Sequence, residues 1–360
     1  MKILFVITGL GLGGAEKQIC LLADRLADSA HQVSIVSLTG ETTIKPDNSN
    51  IEIYSLGMKK TILSFLSSML KIKKFIKEIQ PDVVHGHMFH ANIMIRLAGL
   101  LMHRHYKLLC TAHSNNEGGK LRMLAYRLTD RLSDINTNVS KQALDEFIAQ
   151  KAFSKSNSFV IYNGIDTERF NFNITARTAV RERLGISADE TLILTVGRLT
   201  PAKDYPNLLA AFRLLPEHYK LVIIGEGEVR KSLEKIINEY NLASRVQLLG
   251  SIKSVHDYYS ACDLFVLSSA WEGFGLVIAE AMACQRIAVC TNAGGVKEVI
   301  GNSDFVVPIS NSEALANKIR DVNALSIEKK NSIGINNRNH IIENFSISSV
   351  TSAWLSIYLK

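Results

Sequence analysis

Residues 263–280 read DLFVLSSAWEGFGLVIAE, and AMAC follows. LFVL is a short apolar run bounded by small polar residues, which suits a strand buried on both faces. Gly273 and Gly275 then permit a turn, and LVIAEAMA continues as an apolar helix. Strand, glycine turn and helix in that order form the repeating unit of a parallel α/β sheet. Two acids, Glu272 and Glu280, bracket the turn. A carboxylate so close to a core helix costs several kcal/mol unless something pairs with it, so these two must hold something.

The same alternation runs outward in both directions. KILFVIT, QVSIVSL, DVVHGH, KLLCTAH and INTNVS read as strands of a first half, interleaved with helical stretches such as EKQICLLADRLADS. TLILTVGRL, KLVIIGEG, VQLLG, DLFVLSS, RIAVCTN and DFVVPI repeat the pattern. Between the two lies YNGIDTERFNFNITART, polar and marked by an Asn-Gly turn. The chain is predicted to be α/β, with two Rossmann-like domains, 1–165 and 166–345, whose parallel sheets face across a ligand cleft. In such sheets ligands bind beyond the carboxyl ends of the strands. The segment 346–360 has helical spacing and either caps the second domain or crosses back to the first.

A length of 360 residues suits two domains, and 47% hydrophobic with 21% charged residues is a globular composition. The opening apolar strand has no basic leader or cleavage site, so it does not read as a signal peptide. Five cysteines without a CxxC pair read as reduced core residues of a cytosolic protein. The net charge of +7 is one-sided: residues 1–165 hold 20 Lys+Arg against 13 Asp+Glu, and residues 166–360 hold 21 against 21. That asymmetry points to an anionic partner of the first half, a membrane surface or a phosphorylated substrate and not a nucleic acid.

In the first half, GLGLGG (9–14) fits the dinucleotide turn formally. The second strand, however, ends in Thr39 and Gly40 with Glu41 displaced beyond them, where a ribose-binding acid is required. The better reading is that Gly13 and Gly14 let backbone approach a ligand and point the following helix amides at it. KKTILSFLSSMLKIKKFIKEI (59–79) carries six lysines against one glutamate, with Ile62, Phe65, Leu66, Met69, Ile72, Ile76 and Ile79 on one face. It is either a sheet-covering helix with solvated lysines or a basic surface for anionic lipid. HGHMFH (85–90) is read as a loop whose histidines, His87 and His90 among them, contact a polar substrate or nothing. A metal would want an added acid or thiol that the stretch lacks. His113, ending KLLCTA, and Glu117 beyond it, a candidate acceptor contact, stand at the cleft, with a catalytic and a structural role both open for the histidine.

In the second half, GRLTPAKD places Arg198 and Lys203 after a strand, and two such cations suit a diphosphate. GEGE repeats the glycine logic at Gly225 and Gly227. The turn at Gly273 and Gly275 lets the amides of Phe274, Gly275 and Leu276 face a ligand, with the helix's positive end behind them. One carboxylate for a sugar, another for a ribose and cations for the diphosphate between them describe a nucleotide-sugar site.

At this point the chain resembles the retaining glycosyltransferases of family 4, which have the GT-B fold. Glu272 to Glu280 matches their E-x7-E motif, and GGAE (13–16), Arg198, Lys203 and EGFGLVIAEAMA are placed alike. PDVVHGHMFHAN, TAHSNNEGG, YRLTDRLSD, YNGIDT and GRLTPAKDYPNLL look like segments of bacterial O-antigen α-1,3-N-acetylgalactosaminyltransferases that build on undecaprenyl diphosphate. The resemblance implies a UDP-sugar donor on the second domain, an undecaprenyl-diphosphate-linked acceptor on the first, and no required metal or other cofactor. It also implies a last helix returning to the first domain and a cytoplasmic enzyme peripheral to the bacterial inner membrane. By position, Arg198 and Lys203 would hold the diphosphate, Glu272 the donor sugar and Glu280 the ribose, with His113 beside the reacting carbon. Ser114 stands where other members have Asn.

An inverting reaction would need a general base, and no carboxylate is singled out for it. Retention fits better, with Arg198 and Lys203 stabilising charge on the leaving diphosphate, and a double displacement through a carboxylate nucleophile is the less favoured alternative route. Competing readings are a UDP-sugar epimerase of the same architecture, a dehydrogenase, which Thr39 disfavours, and a sugar-binding module, which the joint presence of both cations and both acids disfavours.

Overall fold

A computed structural model describes residues 1–11, 13–40, 42–115 and 117–360. Leu12 of the first glycine turn and the displaced acid Glu41 lie outside the described residues. The chain divides into two compact units, Met1–Gly164 with Ile347–Lys360, and Ile165–Ser346.

The first unit contains β1 (Lys2–Ile7), α1 (Gly14–Asp28), β2 (Gln32–Ser37), β3 (Glu52–Ser55), α2 (Ile62–Ile79), β4 (Val83–His87) and α3 (Phe89–Gly99). It continues through β5 (Lys107–Ala112), α4 (Lys120–Thr129), β6 (Ile135–Asn138), α5 (Lys141–Ala149) and β7 (Ser158–Val160). Its seven strands are ordered β3-β2-β1-β4-β5-β6-β7, and the pairings are parallel. The period of two along β1 sorts the core. Ile3, Phe5 and Ile7 face one layer with Ile19 and Leu22 of α1, while Leu4 and Val6 face the other with Ile72, Ile76, Met94 and Ile95.

The second unit holds α6 (Ile174–Leu184), β8 (Thr191–Val196), α7 (Tyr205–Arg213), β9 (Tyr219–Ile224), α8 (Arg230–Glu239), β10 (Val246–Gly250) and α9 (Val255–Ala261). Then come β11 (Leu264–Leu267), α10 (Leu276–Ala283), β12 (Ile287–Thr291), α11 (Val296–Ile300), β13 (Val306–Val307), α12 (Ser312–Asn323) and α13 (Ile327–Phe345). Its sheet runs β10-β9-β8-β11-β12-β13. Ile193, Leu221, Ile223, Leu264 and Val266 form its core with Leu208, Phe212, Leu233 and Leu315. The final helix, α14 (Ile347–Leu359), packs in the first unit, where Val350, Trp354, Ile357 and Tyr358 join the core beside α1. Both units are therefore Rossmann-like.

Three expectations change. The strands β3 and β7 went unread because their residues are only partly buried. HGHMFH is not a loop: β4 carries the first three of its residues, all buried, and α3 starts at Phe89. In α2, Ile72 and Ile76 are buried as expected, but Ile62 is 80% and Leu66 46% exposed, with Leu63 and Leu70 exposed beside them. The helix buries Ile72 and Ile76 in its later turns and packs Phe65 and Met69 partly against the same core, while Ile62, Leu63, Leu66 and Leu70 stay exposed. Among the described residues no helix is long and apolar enough to cross a membrane, and all five cysteines are buried and unpaired.

Candidate functional site

In the second unit the loops beyond β8, β9, β11 and β12 are tied to one another through backbone. Gly197 donates to Ile224 O at 2.9 Å and Leu199 to Glu226 O at 2.8 Å. A Cβ on Gly225, where φ is +146°, would lie 1.9 Å from Gly197 O, and one on Gly227 2.2 Å from Leu199 O. Glycine is needed there because two backbones touch, which accounts for GEGE by packing as well as by access to a ligand.

The same cluster positions the cations and acids. Lys203 ends a short 3-10 turn, Pro201–Lys203. Its carbonyl accepts from Ser268 Oγ at 2.8 Å, and Ala270 donates to Ala202 O at 2.9 Å, which locks the turn to the end of β11. The Lys203 ammonium pairs with Glu272 Oε2, each side chain only 17% exposed, and Ser269 Oγ donates to the same oxygen at 3.2 Å. Arg198, from the preceding loop, is exposed. From the other side, a Cβ on Gly294 would sit 1.8 Å from Glu272 O, so the loop after β12 presses directly on the acid's backbone.

Gly275 caps α10 in the left-handed conformation, φ +93°, with no side-chain cap. The first amides of α10 therefore carry no side-chain partner and keep their partial positive charge. Phe274 is buried, its ring 5.5 Å from that of Phe345. Glu280 stands more than one turn into α10 and accepts a hydrogen bond from Tyr259 Oη on Oε2 at 2.6 Å. Burial and the Glu280 carboxylate push the Tyr259 phenol well above its usual range, so it remains a donor. Arg198, Lys203, Gly225, Gly227, Glu272 and the start of α10 thus belong to one connected set of strand-end loops. Tyr259, Ser269 and Gly294 were missed in the sequence. The glycine pair of TNAGG, directly after a strand, was the one local signal for the last of these.

In the first unit, Gly13 precedes α1 with φ −155° and Gly14 opens the helix. Thr39 lies against Gly9, where an added Cβ would be 2.6 Å from its Oγ1. His113 follows β5. Its Nε2 is 3.1 Å from His87 Nδ1, and burial pushes its pKa down to about 4. His87 is held neutral by burial and by His85 and His113 beside it; its Nε2 is buried without a partner. His85 does not join them as a third ligand: its nitrogens bond Tyr358 Oη at 2.8 Å and Thr111 Oγ1 at 2.7 Å. His90, on the first turn of α3, is half-buried, and its pKa is lowered by burial and then by Arg122 and Lys60. Glu117 accepts from the His113 backbone N–H on Oε1 at 2.9 Å and from Tyr126 Oη on Oε2. Both its oxygens are engaged within the protein.

Residues 12–169 match the family described as Glycosyltransferase Family 4, and residues 176–340 match Glycosyl transferases group 1. A Campylobacter jejuni N-acetylgalactosamine-N,N'-diacetylbacillosaminyl-diphospho-undecaprenol 4-alpha-N-acetylgalactosaminyltransferase is 26% identical, over 87% of this chain and 88% of the relative. An Escherichia coli UDP-Gal:alpha-D-GlcNAc-diphosphoundecaprenol alpha-1,3-galactosyltransferase is 25% identical, over 80% and 77%. Among solved structures, Anabaena HepE in complex with UDP superposes with a TM-score of 0.88 at 22% identity, each chain covered to 99%. A glycosyltransferase from Rickettsia africae also gives 0.88, at 23% identity over 99% and 97%.

Proposed function

The chain belongs to the glycosyltransferases, with a first domain of family 4 and a second of group 1, and on that premise we propose that it moves a hexose or N-acetylhexosamine from a UDP-sugar to an undecaprenyl-diphosphate-linked saccharide. The favoured transfer is of N-acetylgalactosamine in an α-1,3 linkage, in O-antigen or related lipopolysaccharide synthesis. Galactose is the second choice of donor sugar. Both relatives above transfer galacto-configured sugars to undecaprenyl-diphosphate acceptors by their names.

The observation that carries the reading is the loop cluster of the second unit, where Arg198 and the Lys203–Glu272 pair are locked to the uncapped start of α10 and to Glu280. Cations and helix amides suit a diphosphate, Glu272 suits sugar hydroxyls, and Glu280, held by Tyr259, suits a ribose. With donor bound, the sugar–phosphate bond stretches towards an oxocarbenium-like sugar, and the two cations stabilise the charge left on the UDP oxygen. That oxygen takes the acceptor's proton as the acceptor attacks the same face, so configuration is retained and UDP leaves. His113, neutral across the working pH range because burial lowers its pKa, hydrogen-bonds the sugar rather than protonating it. The protein's own cations meet the diphosphate charge, so no metal is required.

The acceptor binds the first domain, with His87 and His90 close to it. The exposed Ile62, Leu63, Leu66 and Leu70 of α2 and the six lysines of 59–79 rest on the anionic cytoplasmic face of the inner membrane. The test is a screen of UDP-sugars against an undecaprenyl-diphosphate-linked monosaccharide, with and without EDTA, read as UDP release and lengthened lipid product. Product formed only with both substrates and unaffected by EDTA is expected. UDP-sugar isomerised without acceptor, or no UDP released from any donor, rejects the proposal.

A further inference from the structure

We propose that Glu117 and Tyr126 are positioning residues that fix the place of His113. This rests on the role given to His113 above. His113 and Glu117 follow β5, and Asn138 Nδ2 donates to the carbonyl of Ser114 between them at 3.3 Å. The two are also held by a directed polar chain. Asn92 of α3 donates through Nδ2 both to Thr111 O at 2.9 Å, anchoring to β5, and to Tyr126 Oη at 2.9 Å. Tyr126 Oη, having accepted from Asn92, donates to Glu117 Oε2. Glu117 Oε1 then accepts from the His113 N–H. Arg122 closes the far end, donating to Glu117 O at 2.7 Å, with its guanidinium 4.9 Å from the Phe89 ring centre.

Each link has one permissible direction. Two donors, a phenol and an amide, meet Glu117, so both oxygens must accept; a glutamine offers one acceptor and would present an NH2 to the other donor. Tyr126 is fully buried, and Arg96 lies 5.2 Å from its ring centre. Its hydroxyl therefore has a fixed height above the sheet, and Glu117 transmits that height to the His113 backbone. The His113 ring is fixed separately by His87 at Nε2, which leaves Nδ1 as the ring nitrogen available to a substrate. Burial raises the pKa of Glu117, so its ionised form is a burden on folding rather than a support.

The experiment compares Glu117→Gln, Tyr126→Phe, the double variant and His113→Ala, measuring kcat, donor and acceptor KM, and Tm. Each single variant is expected to lose roughly tenfold to a hundredfold in kcat, the scale of a misplacement near 1 Å. Donor KM should stay within about twofold, and Tm within about 3 °C of the parent. The double variant should lose no more than the worse single, because the two residues act as one lever. If the singles keep kcat within about twofold while His113→Ala loses at least about tenfold, the positioning proposal is overturned and the role of His113 stands. Losses that track a falling Tm, or that add in the double, also overturn it. If His113→Ala itself is active, the reading of His113 fails and takes the proposal with it. Tyr126→Phe keeps the test decisive should Glu117→Gln not fold.

Discussion

Replacing Lys203 by alanine removes two things at once, and their sizes can be worked separately. The first is half of an ion pair. Lys203 and Glu272 are each 17% exposed, and without the ammonium Glu272 keeps only the Ser269 hydroxyl on that oxygen, at 3.2 Å. Breaking a fully buried pair costs about 3–5 kcal/mol, and partial solvent access brings this to about 1–2 kcal/mol. For a unit of this size that lowers Tm by about 3–6 °C. The second loss is the charge facing the leaving diphosphate, on the scale of about 10²–10³ in kcat for one such group. Thermal denaturation and steady-state UDP release on Lys203→Ala and on Lys203→Ala with Glu272→Gln separate the two. Neutralising the stranded acid should return at least half of the lost stability while activity stays down. A single variant within about threefold of wild-type kcat/KM, or a double no more stable than the single, refutes the reasoning.

Gly294→Ala would drive a methyl to 1.8 Å from Glu272 O at a left-handed φ of +56°. It should destabilise the protein by about 2 kcal/mol or more and raise donor KM; unchanged denaturation midpoint and KM would contradict that packing. The buried histidines give a pH dependence with a definite sign. His113 titrates near 4 when folded against an ordinary value of 6.5, so the unfolded chain binds the extra proton between those values. Stability should be full above pH 6.5 and decline as pH falls towards 4, with a shallower decline in His113→Asn; a flat profile from pH 7.5 to 4.5 would contradict it. Changing Lys71, Lys73, Lys74 and Lys77 to Gln should weaken sedimentation with anionic vesicles by about 1 kcal/mol per charge, while unchanged partitioning would leave α2 a solvated helix.

Strands buried on both faces announce themselves as apolar runs, which is why β1, β8 and β11 were legible. Strands β3 and β7 were not, because edge positions keep polar residues and the two-residue period fades. Histidine misleads in the other direction. VVHGH reads as polar at its end, yet every residue of β4 is buried, since His85 finds Tyr358 and Thr111 as partners from 273 and 26 residues away. In α2 the helical period identified an apolar face but not how much of it the sheet covers. Arg198, Lys203, Glu272 and Glu280 were found because each lies beside a strand end or a glycine turn. Tyr259, Ser269 and Tyr126 have no such local mark: their importance comes from which carboxylate they reach, a property of the folded chain. The glycines of GEGE were legible as a loop, but the backbone carbonyl that each one clears comes from another strand.

The wall that α14 supplies has a bearing on how the protein is born. Trp354 and Tyr358 close the layer over α1 and grip His85, but they leave the ribosome only after every strand of the second unit. A nascent first domain therefore waits with an open apolar seam along α1 while 182 intervening residues, 165–346, are translated. During that interval the seam is the surface a chaperone would find, and a chain cut before Val350 would leave it unsealed for the life of the molecule.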